Sequence, residues 1–315
     1  MAELASLSIT GSFTIGNTPI TSSGYMWFNC ETNKLEYSWV GGLWSSGGAL
    51  ITARYNLAGA GTQTAGLAFG GAFTYLSCTE EYNGSSWSAG GALSTARYGL
   101  AGAGEQNAAL AFGGNNSYSV NNTEEYNGSS WASGGVLITE REFLAGAGTQ
   151  NAALAFGGGG YFSGTLTCTE EYNGSSWATG GALSTAKYNL AGAGTQTAGL
   201  AFGGCSPITS CTEEYDGTSW TSGGDLITAR YALAGAGTQN AGLAFGGYGP
   251  TFTAVSCTEE YDGSSWSVGS SLITTRTRFA GAGTQTAGLA FGGRVAPSGV
   301  SCTEEFSPGF QICSL

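Results

Sequence analysis

The chain has 315 residues, 56 of them glycine and only 5 proline, with 9 Lys and Arg against 21 Asp and Glu, no histidine, and a formal net charge of −12. A chain this acidic repels nucleic-acid phosphates and anionic membrane surfaces, so neither partner is expected. It holds no run of about 18 apolar residues that could span a bilayer, and its glycines follow fixed contexts, not a collagen period.

The first 23 residues carry an acidic Glu3, no basic region, and an alternating apolar pattern at Leu7, Ile9, Phe13, Ile15 and Ile20. This argues against a secretory signal. The segment reads as an extended N-terminal arm, too short to fold alone, that either adds a strand to a neighbouring subunit or packs on its own chain. Residues 24–43 follow as a β-hairpin: Gly24-Tyr25-Met26-Trp27-Phe28-Asn29 and Leu35-Glu36-Tyr37 alternate on either side of the polar turn Glu31-Thr32-Asn33-Lys34.

Residues 44–315 repeat. Leu-Ala-Phe-Gly-Gly returns six times, with its phenylalanine at Phe69, Phe112, Phe156, Phe202, Phe245 and Phe291, at steps of 43, 44, 46, 43 and 46 residues; a tryptophan keeps the same step from Trp44 to Trp266. Each unit divides into four short strands. The first, Leu-Ala-Gly-Ala-Gly, has side chains small enough for a crowded central axis. The second, Gly-Leu-Ala-Phe, alternates in the period of a strand. The third, Cys-Thr-Glu-Glu-Tyr, turns through Asn-Gly or Asp-Gly, as at Asn83-Gly84 and Asp216-Gly217, into a fourth that begins at the tryptophan. Four strands per unit, no helical pattern and a period in the forties specify an all-β, six-bladed β-propeller. The last Thr303-Glu304-Glu305-Phe306 lacks a following tryptophan, so Leu43 to Gly48 are expected to supply the outer strand of the last blade and close the ring.

The six Glu-Glu pairs, from Glu80-Glu81 to Glu304-Glu305, contain 12 of the 21 acidic residues, and one cation recurs per unit at Arg54, Arg97, Arg141, Lys187, Arg230 and Arg276. Adjacent strand residues face opposite ways, so the two carboxylates of a pair cannot converge on one ion. One glutamate of each pair is instead expected to meet the cation between blades. The recurrent Trp and Tyr are expected to pack blade on blade. With no histidine and evenly spread carboxylates, no catalytic or metal-binding constellation can be drawn, so no enzyme activity, cofactor or metal is expected. Cys78, Cys168, Cys211, Cys257 and Cys302 share one repeat position and are expected to be small, buried, reduced side chains; Cys205 and Cys211 flank a short loop that a disulfide could bridge.

The units differ between Gly-Gly and Thr-Glu-Glu. Loops joining strands two to three emerge on the same face as those joining one blade to the next, so one face of the disc should be variable and the other nearly uniform. The variable loops carry Phe73, Tyr75, Tyr118, Tyr161, Phe162, Tyr248 and Phe252. That is the composition of a ligand-binding surface on a rigid scaffold, although neutral variation of exposed loops gives the same pattern.

The Gly-Gly that closes strand two, the Tyr of strand three, the later Trp and the Arg before the next blade (Gly70-Gly71, Tyr82, Trp87 and Arg97 in one unit) resemble the kelch repeat. Trp27-Phe28-Asn29, Thr32-Asn33-Lys34-Leu35 and Tyr37 resemble a module of tail-fibre and other virion proteins of tailed bacteriophages, notably cyanophages, and the Ala-Gly-Ala-Gly-Thr-Gln and Glu-Tyr-Asn-Gly-Ser-Ser-Trp phrases are similar to theirs. This resemblance implies a non-enzymatic virion structural protein, a capsid or tail decoration or a fibre-associated head. Such a protein is assembled in the host cytoplasm, present in multiple copies, and joined to other virion proteins through residues 1–37. The alternative is an adhesin that recognises host surface glycans or proteins through the variable loops.

Overall fold

The computed structural model describes residues 42–307 apart from 73, 74 and 161–163, and, as backbone strands, 7–9, 13–15, 18–20, 24–29, 34–41 and 308–314. Among them there is no helix, and six four-stranded antiparallel blades form a ring, a β-propeller. Blade 1 comprises Ala58–Gly61, Gly66–Phe69, Thr79–Tyr82 and Trp87–Gly90. Blades 2 to 5 repeat this plan with first strands that begin at Ala101, Ala145, Ala191 and Ala234. The first strands are innermost, each beside those of its two neighbours. The space there sets the composition: a Cβ on Gly59 would overlap the Phe291 ring of the preceding blade and crowd the Gly281 carbonyl.

The core lies in six clusters, each spanning two adjacent blades. At every seam a tryptophan leans on the second-strand phenylalanine of the preceding blade. Trp87 meets Phe291 at 5.0 Å and donates its indole N–H to Thr303 Oγ1 at 2.9 Å, and Trp131 repeats this with Phe69 and Thr79. Each such phenylalanine is fully buried, worth about 1.5–3 kcal/mol apiece relative to exposure. On the opposite side of the disc from the variable loops, one glutamine per blade reaches back across the seam. Gln106 donates to the carbonyls of Gly66 and Tyr82 at 2.9 and 2.7 Å.

The expected ion pairs form. Arg54 and Glu80 meet at 3.0 Å, both nearly solvent-free, and five equivalent pairs follow, with Lys187 and Glu213 at 2.8 Å. Glu80 also accepts the N–H groups of Ile51 and Thr52 at 2.7 and 3.1 Å, while the Leu50 and Arg54 N–H groups donate to Ser301 and Val300 of the last blade. The connector is thus tied to both blades at once. In five of the six pairs the second glutamate turns the other way and accepts a phenol from the next blade: Tyr126 to Glu81, Tyr172 to Glu125, Tyr215 to Glu171 and Tyr261 to Glu214, each at 2.5 Å, and Tyr82 to Glu305.

Blade 6 closes the ring as expected, with one addition. Ala280–Gly283, Gly288–Phe291 and Thr303–Ser314 are completed by Lys34–Gly47, with Gly47 opposite Thr303 and Trp44 opposite Phe306. In the other blades the third strand ends at its tyrosine and turns; Asn83 Oδ1 caps one such turn by accepting the N–H groups of Ser85 and Ser86. Here the strand continues past Phe306 to Ser314, paired throughout with Lys34–Gly47, which pairs in turn with Gly24–Asn29. The boundary drawn between residues 43 and 44 is therefore crossed by one unbroken strand. Of the segment expected as an extended arm, Leu7–Ile9 pairs with Gly24–Asn29 of its own chain, and Phe13–Ile15 pairs with Thr18–Ile20.

Candidate ligand-binding face

Each connector into a blade ends in three residues that build the axial mouth on the variable side. After Arg54 come Tyr55, Asn56 and Leu57, and Tyr55 makes a β-bridge with Ala72 of its own blade's loop between strands two and three. Equivalent bridges join Tyr98 to Asn115, Glu142 to Gly159, Tyr188 to Cys205, Tyr231 to Tyr248 and Thr277 to Arg294. Connectors and variable loops therefore form one continuous surface.

The innermost ring is Asn56, Gly99, Phe143, Asn189, Ala232 and Arg278, all in the left-handed region with φ from 52° to 62°. Each donates its backbone N–H to the carbonyl of the preceding member at 2.7–2.8 Å, and Asn56 donates to Arg278, so the six bonds close a circle around the axis. The left-handed backbone costs a non-glycine residue about 1–2 kcal/mol; the repeated circle of bonds holds it at five such positions. Inside the circle is a recess of about 90 Å³ above Leu57, Leu100, Leu144, Leu190, Leu233 and Phe279. Space of that size takes a few waters or a small polar group.

A second ring surrounds it: Tyr55, Tyr98, Glu142, Tyr188, Tyr231 and Thr277. The variable loops meet this ring from outside. Tyr75 stacks on Tyr98 at 5.6 Å, Tyr248 stacks on Tyr231 at 5.1 Å, Phe252 meets the edge of Tyr231 at 6.4 Å, and the Arg294 guanidinium lies over Tyr55 at 5.8 Å. Of the residues expected to bind ligand, Tyr75, Tyr118 and Phe252 are exposed and Tyr248 is half-buried. Phe73, Tyr161 and Phe162 lie outside the described residues.

The loop disulfide considered between Cys205 and Cys211 is not formed; both thiols are free. Cys205 is engaged by the Tyr188 phenol, and that bond pushes the phenol's pKa up, while burial raises that of the thiol. The cysteines preceding Thr-Glu-Glu are half-buried, not buried, because the sulfur borders the connector: Cys78 Sγ accepts from Arg54 at 2.9 Å and Cys257 Sγ from Arg230 at 3.1 Å.

Charge across the mouth is polarised. Arg278 belongs to the sixth connector and Glu142 to the third, on opposite sides. Burial pushes the Glu142 carboxyl above its usual range, only partly offset by a hydrogen bond with Asn115, and Glu142 Oε2 has no hydrogen-bond partner among the described residues. Burial also raises the phenols of Tyr98 and Tyr231, and Arg278 offsets a small part of the rise at both, so its charge is felt on both flanks. No cluster of three His, Cys, Asp or Glu able to hold a metal occurs among the described residues. The trace of the two inner rings in the sequence is a pair of positions between the recurrent cation and the recurrent Leu or Phe: the first is tyrosine in four of six units, and the second varies from Asn56 and Gly99 to Phe143 and Arg278.

Fold and face define a β-propeller with one variable, aromatic-lined axial surface. The sequence matches no known protein family and no curated protein.

Proposed function

We propose that the protein is a non-enzymatic virion structural component, a rigid disc attached through its terminal ribbon and presenting its variable face outward. The observation that carries this reading is the course of the ribbon that extends blade 6. The third strand of each blade runs from the variable loops toward the uniform side, where Gly84 of the turn between strands three and four lies against Thr64 of the turn between strands one and two. In blade 6 that strand runs on to Ser314 with Lys34–Gly47 beside it, so the ribbon leaves at the end opposite the variable loops. Attachment and presentation are then separated by the thickness of the disc. The likeness of residues 24–37 to a phage virion module supports the same assignment.

A chain lacking residues 1–33 retains the ring-closing strand and should keep native near-ultraviolet circular dichroism while failing to enter particles; folded protein that incorporates normally would refute attachment through the ribbon. A second reading, an adhesin that recognises host glycans or proteins, is favoured by the aromatic residues and the two arginines gathered at the mouth, and it is compatible with the first.

A further inference from the structure

The basic residues of this chain are few, and most are spent internally. Six of the nine are buried in the seam ion pairs, and Lys34 lies in the terminal ribbon. The remaining two, Arg278 and Arg294, both stand on the variable face, on segments joined by the bridge between Thr277 and Arg294. Neither has a carboxylate within ion-pairing distance among the described residues, in a protein of net charge −12. The same face carries three unsatisfied polar atoms. Apart from atoms of the six seam pairs, the buried side-chain nitrogens and oxygens without a partner among the described residues are Glu142 Oε2, Thr277 Oγ1 and Arg294 Nε, all on this face. Buried polar groups without a protein partner are uncommon and are met by water, an ion or a ligand.

We propose that the axial mouth binds an acidic sugar, a terminal uronic or sialic acid residue, with its carboxylate in the recess against Arg278 and its ring over the surrounding tyrosines. The recess of about 90 Å³ suits a carboxylate better than a whole sugar ring. A planar guanidinium matches a carboxylate in a two-point bond. Beside their contacts with Arg294, Tyr75, Cys205 and Tyr248, Tyr55, Tyr98, Tyr188 and Tyr231 border the mouth with apolar ring surface for sugar C–H groups. Glu142, across the mouth, suits a sugar hydroxyl and would repel a phosphate dianion, so the monoanionic carboxylate is favoured. Arg294, over Tyr55, adds a second cation on the same face.

This inference rests on the outward presentation of the variable face. The test uses the full-length chain on an array of oligosaccharides ending in glucuronic or N-acetylneuraminic acid, each printed beside its carboxyl-reduced counterpart, followed by calorimetry on the best pair. The comparison variant is Arg278→Asn. Asparagine already occupies the equivalent positions 56 and 189 at φ 52° and 53°, so the backbone circle survives the change. We expect the acidic form to bind about tenfold or more tighter than the reduced form, an advantage that Arg278→Asn abolishes while leaving the reduced form unchanged, as for a single lost charge-assisted pair. Tyr231→Ala should weaken both forms. Equal binding of acidic and reduced glycans, an acid preference that survives Arg278→Asn, or capture of a protein ligand alone would each overturn the proposal. Particle incorporation of Arg278→Asn is the separate readout for ribbon attachment: loss of incorporation would count against that reading, and the glycan comparison would stand by itself.

Discussion

Glu260 occupies the position that accepts a tyrosine phenol at the other five seams, but the blade facing it carries Phe306 where the others have tyrosine. Burial raises its carboxyl pKa with no donor to offset the effect. A carboxyl whose folded pKa is raised holds its proton more tightly in the native state, so it opposes folding increasingly as pH climbs from the unfolded toward the folded value. Phe306→Tyr should give Glu260 its donor and stabilise the protein by about 1 kcal/mol, seen as a higher urea midpoint at pH 7; an unchanged midpoint would show that the phenol does not reach it. Lys187 is a second departure from the repeat. It keeps the ion pair with Glu213, but where an arginine stands, as at Arg54, the guanidinium also binds the Gly70 and Cys78 carbonyls at 3.2 and 2.8 Å. Lys187→Arg should therefore stabilise modestly. Lys187→Met, which leaves Glu213 buried without its cation, should cost about 3–5 kcal/mol in the same denaturation assay.

The fourth strand of blade 1 ends at Gly90, and the next residue, Gly91, packs against the turn of the following blade. A Cβ on Gly91 would fall well inside contact with the Ser129 carbonyl oxygen, and Gly48, Gly135, Gly181 and Gly224 face the same obstacle at their own seams. Ser270 holds the sixth equivalent position because blade 6 has no such turn; its strand continues into the ribbon. The serine is a consequence of how the ring closes. Gly91→Ser should cost about 1–3 kcal/mol or more by overpacking, whereas Ser270→Gly should be close to neutral, both read from thermal melts. Comparable losses in the two variants would contradict the steric account. Strand positions, hairpin turns and the strand that completes blade 6 were all legible in the sequence, because each depends on residues close together in the chain or on their repetition. The ribbon was only half legible: the hairpin at residues 24–43 showed its alternation, but its merger with blade 6 needs a partner strand at the far end of the chain.

Five phenols sit across five seams, and burial and the glutamate bond push Tyr82, Tyr126, Tyr172, Tyr215 and Tyr261 up to about 12 from an ordinary value of 10. A phenol whose folded pKa is raised contributes stability that is fully present below its unfolded pKa and is lost as pH rises toward the folded one. Urea stability should therefore hold to about pH 10 and fall between pH 10 and 12. Tyr126→Phe should lower stability at pH 8 and make that alkaline decline shallower; an unaltered slope would place the decline elsewhere. The sequence by itself determined the number of blades, their strands, the cation that each buried glutamate meets, and the side of the disc on which variation collects, because a sixfold repeat exposes which positions are fixed and which are free. The tertiary structure alone decided what lies between blades and around the axis: the glutamine bonds, the phenols that five of the second glutamates accept, the closed circle of six backbone bonds, and the gathering of Arg278, Arg294, Glu142 and four tyrosines at one mouth. Most of these contacts join residues of different blades, so they follow from the closure of the ring, and no local pattern of residues encodes them.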